Sequence, residues 1–271
     1  MTIRIRHQSF TDLSQLPGYS AMLIDHAKRV CRSDTVVDLH GVEPGTYPSG
    51  MAPVEMVGYI WANHLMDIQI VEKAIRAERE GYDAVAISCF IDPGLEAARS
   101  VVDIPVVSSC ETALLVSSAV GRACGLLTLD ETMADALRQL VARYGFQDRV
   151  ATVAAMDPPI TEHALDRTFA GSPAFVEEFS RQARRLTAAG ADLIIPAEGV
   201  LNTASVRNGI REVDGTPALD SYGSVLAFAE MLVQLRRRSG LSVARGGAYA
   251  RPPRRLLESL RRITSDVLAG T

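Results

Sequence analysis

Two short stretches of the chain end on residues able to do chemistry. "GYDAVAISCF" (81–90) closes an apolar run on Cys89, and "GADLIIPAEG" (190–199) closes a similar run on Glu198. They align without a gap: Gly81 with Gly190, Asp83 with Asp192, Cys89 with Glu198. A helix is expected to start near Asp92 and Pro93. Its partial positive end, with the free N–H groups of 90–92, would favour an anion at Cys89 and lower the thiol pKa. A glutamate that follows "ADLIIPA" is expensive to bury as an anion. Desolvation should raise it from about 4.3 towards the range of a general base. Cys89 then serves as acid, base or attacking thiolate, and Glu198 as base.

The elements that must place these residues alternate along the chain. "TIRIR" and "TVVDLHG" read as strands, with the helical spacing of "YSAMLIDHAKRVC" between them. A helix over "MDIQIVEKAIRAEREG" precedes the strand 83–88, then come a helix, the strand 104–109 and a helix at 110–122. A second series starts with the strand 123–129 and passes through "RVATVAAM", "ADLIIPA" and the strand 216–221, with helices between. A long helix covers "YGSVLAFAEMLVQLRRR", and 242–253 reads as a flexible connection to a last helix at about 254–268. This alternation predicts an α/β fold with two pseudo-symmetric parallel-sheet domains and the active site in the cleft between them. The expected boundaries are 1–115 plus 222–271 for the first domain and 116–221 for the second. The repeat continues from "IPVVSSCETA" (104–113) into "TPALDSYGSV" (216–225).

Bulk properties narrow the function classes. The chain has 271 residues, 47% apolar and 22% charged, as expected of a globular protein with two cores. A net charge of −4 gives no reason to expect nucleic acid. The start "MTIRIRHQSF" lacks the apolar region of a signal peptide, and no apolar run approaches the roughly 20 residues that span a bilayer. A cytoplasmic protein with no membrane partner is expected. Its four cysteines should then be reduced thiols, and their spacings suggest no metal site. The arginine-rich end, including Arg236, Arg237, Arg238, Arg254, Arg255, Arg261 and Arg262, reads first as a solvated helical face.

"GYDAVAISCFIDPGLEAARSVVDIPVVSSCETALL" resembles the first catalytic segment of the Asp/Glu/hydantoin racemase superfamily, and "GADLIIPAEGVLN" resembles the second. The Cys-Phe-x-Asp-Pro-Gly string points to the hydantoin and allantoin racemase branch. The resemblance covers most of 1–235 and is strongest over 78–130. It implies two α/β domains, no cofactor, no metal, and two catalytic cysteines on opposite sides of the substrate carbon. Cys89 matches the first of these, and Glu198 stands where the second is expected. "HQSF" (7–10) also replaces the Pro-Asn-Thr usual in the first loop. Family precedent makes a homo-oligomer an expectation as well.

Further site residues are expected at matched strand ends. Ser9, Ser108, Ser109, Glu111, Thr128, Asp220 and Ser221 either hold a substrate carboxylate or amide, or cap helices. The backbone N–H groups of Phe90, Ile91, Gly199 and Val200 are the natural donors to a substrate oxyanion or carboxylate. His7 and His40 follow predicted strands and are further candidates. The leading expectation is a cofactor-independent racemase or epimerase that moves a proton at a carbon next to a carboxylate or amide. A thiol facing a carboxylate is an unequal pair, which also suits a one-way lyase, decarboxylase, cis–trans isomerase or hydrolase. A third expectation, from another class, is a two-lobed small-ligand-binding protein that has lost the chemistry.

Overall fold

The computed structural model describes residues 2–269, with side chains described through Thr264. In chain order its elements are β1 (Ile3–Ser9), α1 (Pro17–Val30), β2 (Thr35–His40), α2 (Ile60–Arg79), β3 (Ala84–Ser88), α3 (Leu95–Val101), β4 (Val106–Ser108) and α4 (Ser109–Val120). The second series is β5 (Cys124–Thr128), α5 (Glu131–Arg143), β6 (Val150–Ala155), α6 (Glu162–Asp166), α7 (Pro173–Ala188), β7 (Leu193–Pro196), α8 (Gly199–Arg207), β8 (Glu212–Val213), β9 (Thr216–Pro217), α9 (Ser221–Ser239) and α10 (Arg254–Ala269).

The first sheet is parallel, in the order β2-β1-β3-β4. The second is parallel in the order β6-β5-β7, and a single bridge from Ile194 to Ala218 stands in the fourth position. The two sheets therefore share one topology, as the repeat predicts. The aligned aspartates do the same work in each. Asp83 accepts the Arg4 N–H (2.9 Å) at the start of β1, and Asp192 accepts the Arg122 (2.9 Å) and Ala123 (3.0 Å) N–H groups ahead of β5. Each pins the start of its sheet's central strand.

The strand predicted over 216–221 is largely absent. Thr216 and Pro217 pair antiparallel with Glu212 and Val213 instead. Asp214 (φ 50°) and Gly215 (φ 80°) make the two-residue turn that such a hairpin needs. The Asp-Gly pair carried this signal in the sequence. Pro217 has no N–H to offer a longer ladder.

Packing follows from burial patterns. β3 and β7 are buried along their whole lengths, as strands covered on both faces must be. The helix α9 lies against β1, β3, β4 and α4. The stretch 242–253 does not hang free: Arg245 donates to the Arg99 carbonyl (2.8 Å) and to Asp103 (2.7 Å). Arg261 on α10 donates to Glu72 on α2 (2.6 Å), which places the last helix on the outside of the first sheet's helices. Among the described residues, no helix is long and apolar enough to cross a membrane.

Candidate active site

Cys89 follows β3 directly, and Glu198 follows β7 by two residues and is the N-cap of α8. Both line one narrow cavity of about 30 Å³, together with Phe10, Thr11, Tyr19, Pro53, Val54, Val57, Ser88, Phe90, Ile91, Met133 and Glu162. That volume admits little more than a water molecule or two. The two walls meet closely beside it. A Cβ on Gly199 would lie 2.9 Å from the Tyr19 hydroxyl and 3.5 Å from the Ser88 carbonyl, so any larger residue here must push Tyr19 aside.

Glu198 is held by its own helix. Its Oε2 accepts the Leu201 N–H at 2.7 Å, and the N–H groups of Val200 and Gly199 also point at the carboxyl. These donors favour the anion, but burial outweighs them and pushes Glu198 up to about 7. The N–H groups of Gly199 and Val200, expected to bind substrate, lie against the Glu198 carboxyl. The direction of the Glu198 shift is the one expected from sequence.

Cys89 departs from expectation. The helix after it starts at Leu95, not at Asp92, and Gly94 (φ 63°) precedes it. Asp92 itself occupies the left-handed region (φ 47°). Its buried carboxyl accepts the Cys110 and Glu111 N–H groups (3.0 Å each) and the Tyr144 hydroxyl (2.8 Å). Asp92 thereby ties the start of α4 to α5 of the second half. Without a helix end at hand, desolvation dominates and pushes the Cys89 thiol well above its ordinary value. The Ile91 N–H opposes this by facing the sulfur, while Asp92, Glu198 and Glu162 reinforce it. Its surroundings therefore favour the protonated thiol.

The structure brings Phe90 and Ile91 to the cavity and takes four other expected residues elsewhere. The Ser9 hydroxyl accepts the Thr11 N–H (3.1 Å). Ser108 ends β4, fully buried beside Asp92. Glu111 is spent on Arg99 in a two-pronged ion pair (2.9 and 2.5 Å). Thr128 donates to the Ala197 carbonyl (3.1 Å) and so fixes the backbone just before Glu198. Asp220 caps α9 through the Gly223 N–H (2.9 Å) and contacts His26 (2.6 Å), and Ser221 is buried in the first turn of that helix. Ser109 is likewise buried, near the Ile87 carbonyl (3.4 Å). His7 is fully buried, edge-on to Tyr222, and burial holds it near 3, so it stays neutral. His40 contacts the Tyr82 hydroxyl (3.3 Å).

Two contributors lie in segments whose sequence shows no periodicity. Pro53, Val54 and Val57 come from a short 3-10 helix, Pro53–Met56, and the turn after it. Glu162 opens α6, after the N-cap Thr161, in the long connection from β6 to α7. The only sequence signal for Glu162 was Thr161 as a cap ahead of an acidic first turn. Its carboxyl is 3% exposed and raised well above the carboxylate range by burial and by Glu198. Among the described residues, neither lysine, arginine nor histidine lines the cavity.

The family model of the Asp/Glu/hydantoin racemases matches residues 48–232. The chain belongs to this family. It is 28% identical over 218 residues to a hydantoin racemase of Pseudomonas sp. (strain NS671), covering 80% of this chain and 82% of that one. A hydantoin racemase of Rhizobium meliloti is 28% identical over 179 residues, 65% and 69% of the two chains. Among solved structures, an allantoin racemase from Klebsiella pneumoniae superposes with a TM-score of 0.76 at 22% identity, covering 93% and 95% of the chains. The resemblance to the hydantoin and allantoin branch therefore holds across the chain, as does the two-part α/β fold. Family membership supports racemase-type catalysis and makes the chain an enzyme of the isomerase kind.

Proposed function

We propose that the protein racemises or epimerises a carbon next to a neutral amide or imide carbonyl, using Glu198 and Cys89 as the two proton-transfer groups and no cofactor. The observation that carries this reading is one cavity walled by a thiol from β3 and a carboxylate from β7. Above neutral pH the pair rests as thiol and carboxylate, because burial raises both but leaves Glu198 near 7. Glu198 takes the proton from the carbon and the electron pair moves onto the carbonyl oxygen. Cys89 then delivers its proton to the other face. The return reaction starts from Cys89 as thiolate and Glu198 as acid. A reducing cytoplasmic setting suits a free thiol in this role.

The charge of the lining chooses between the two substrate classes. A free carboxylate would enter beside two acids with no cation in the lining to meet it, which is unfavourable. An uncharged ring amide or imide carries no such penalty. Polarimetry on enantiopure 5-methylhydantoin and, separately, on free amino acids tests this. Loss of rotation above the spontaneous rate with the hydantoin alone is the expected result. Loss with the amino acids alone contradicts the assignment.

The unequal pair supports a second reading, a one-way lyase, decarboxylase, cis–trans isomerase or hydrolase with Cys89 as acid or nucleophile and Glu198 as base. A stable rotation in the same experiment, with product formed from an unsaturated, geminal-diacid or ring-amide substrate, would favour it.

A further inference from the structure

The cavity holds a third ionisable group that proton transfer between Glu198 and Cys89 leaves unused. Glu162 reaches it from α6, in the second half of the chain, and lines it beside Glu198. The N–H groups of Glu162 itself and of Val54 lie against its carboxyl. Its Oε2 is buried and has no hydrogen-bond partner. A buried oxygen left unpaired is expensive unless something completes it during the reaction. The titratable groups that face Glu162 are Glu198, Asp130, Cys89 and Tyr47, all of them acids. Two neighbouring buried carboxyls without a cation do not readily both ionise. Glu198 has three backbone donors that support its anion, so the remaining proton belongs on Glu162.

We propose that Glu162, as a neutral carboxylic acid, donates a hydrogen bond from Oε2 to the substrate carbonyl oxygen next to the reacting carbon. This rests on Glu198 and Cys89 being the proton-transfer pair. When Glu198 removes the carbon's proton, negative charge gathers on that oxygen, and the Glu162 O–H meets it without itself losing the proton. A donor fixed in place before the reaction is worth most where water is excluded. The backbone N–H groups of Gly199 and Val200 lie against the Glu198 carboxyl and support its anion. Beside the backbone N–H of Phe90, Glu162 thus supplies an electrophilic side-chain contact in this cavity.

Glutamine keeps a donor at this position and leucine does not, so E162Q and E162L separate the role from mere packing. With enantiopure 5-methylhydantoin, E162L should lower kcat about 100-fold or more with a smaller change in KM, and E162Q should stay within about 10-fold of wild type. The wild-type minus E162Q infrared difference spectrum at pH 8 should show the C=O stretch of a protonated carboxyl. E162Q falling as far as E162L, E162L turning over at the wild-type rate, or an ionised-carboxylate band in that difference would each overturn the proposal. The infrared result does not depend on turnover, so it stands even where E162L fails to fold. C89A and E198Q, assayed alongside, report on the pair itself: full activity in both would remove the proton-transfer reading while leaving the protonation state of Glu162 measured.

Discussion

Glu198 and Cys89 differ in acid strength, and that difference has kinetic and thermodynamic consequences. Racemisation has an equilibrium constant of one, so kcat/KM must be equal in the two directions whatever the pair. The enzyme rests with Glu198 as base and Cys89 as acid, so we expect kcat and KM to be unequal for the two enantiomers, in compensating ratio. Initial rates from each enantiomer measure this; equal kcat values would contradict an unequal pair. Activity should rise with pH as Glu198 ionises near 7 and fall where the raised thiol loses its proton. Stability should run the other way. Glu198 binds its proton more tightly folded than unfolded, so stability is fully present below about 4.5 and is lost as pH rises to about 7. The loss is of the order of 3 kcal/mol. Asp92, pushed to about 6, adds the same sign over the lower part of that range. E198Q should therefore be more stable than wild type at pH 8 and show a flatter slope, which urea melts at pH 5 and 8 would measure.

At the scale of elements, the ends of strands and the starts of helices decide where these groups lie. Asp92 sits in the left-handed region and completes two N–H groups of α4 and the Tyr144 hydroxyl. D92A should cost about 2–4 kcal/mol by leaving those donors unmet, and Y144F about 1 kcal/mol. A D92A loss below 1 kcal/mol in urea melts would contradict this account of the junction. The repeat made this level readable. Glycine, aspartate and a buried run in the same order gave both strand ends, so Cys89 and Glu198 could be paired from sequence alone. The helix start after Cys89 could not, because Asp92-Pro93-Gly94 reads equally well as a first turn or as the loop before one. Small polar residues at strand ends were also ambiguous. Ser9 and Thr128 went to backbone groups, and Glu111 to Arg99, because a nearby unmet donor or charge outcompetes an absent ligand. Glu162 and Pro53–Met56 lie in connections with no hydrophobic period, where only the fold shows what they approach.

At the scale of the molecule, two sheets of one topology carry the walls, and the cavity between them is narrow. A substrate larger than a few water molecules fits only if the walls move apart, as lids and domains do in many enzymes. Gly199 marks the place where they touch. G199A puts a methyl group against the Tyr19 hydroxyl and should hold the walls apart, lowering kcat about 10-fold or more at a stability cost of about 1–3 kcal/mol in urea melts. The central claim is that Cys89 and Glu198 attend the same carbon from opposite walls. Proton NMR of each enantiomer of 5-methylhydantoin in D2O, with wild type, C89A and E198Q, tests it most directly. Wild type should bring deuterium into the substrate carbon as chirality is lost. Each variant should lose racemisation in both directions and retain exchange, where any survives, with opposite enantiomers. Racemisation at the wild-type rate by either variant would contradict the account.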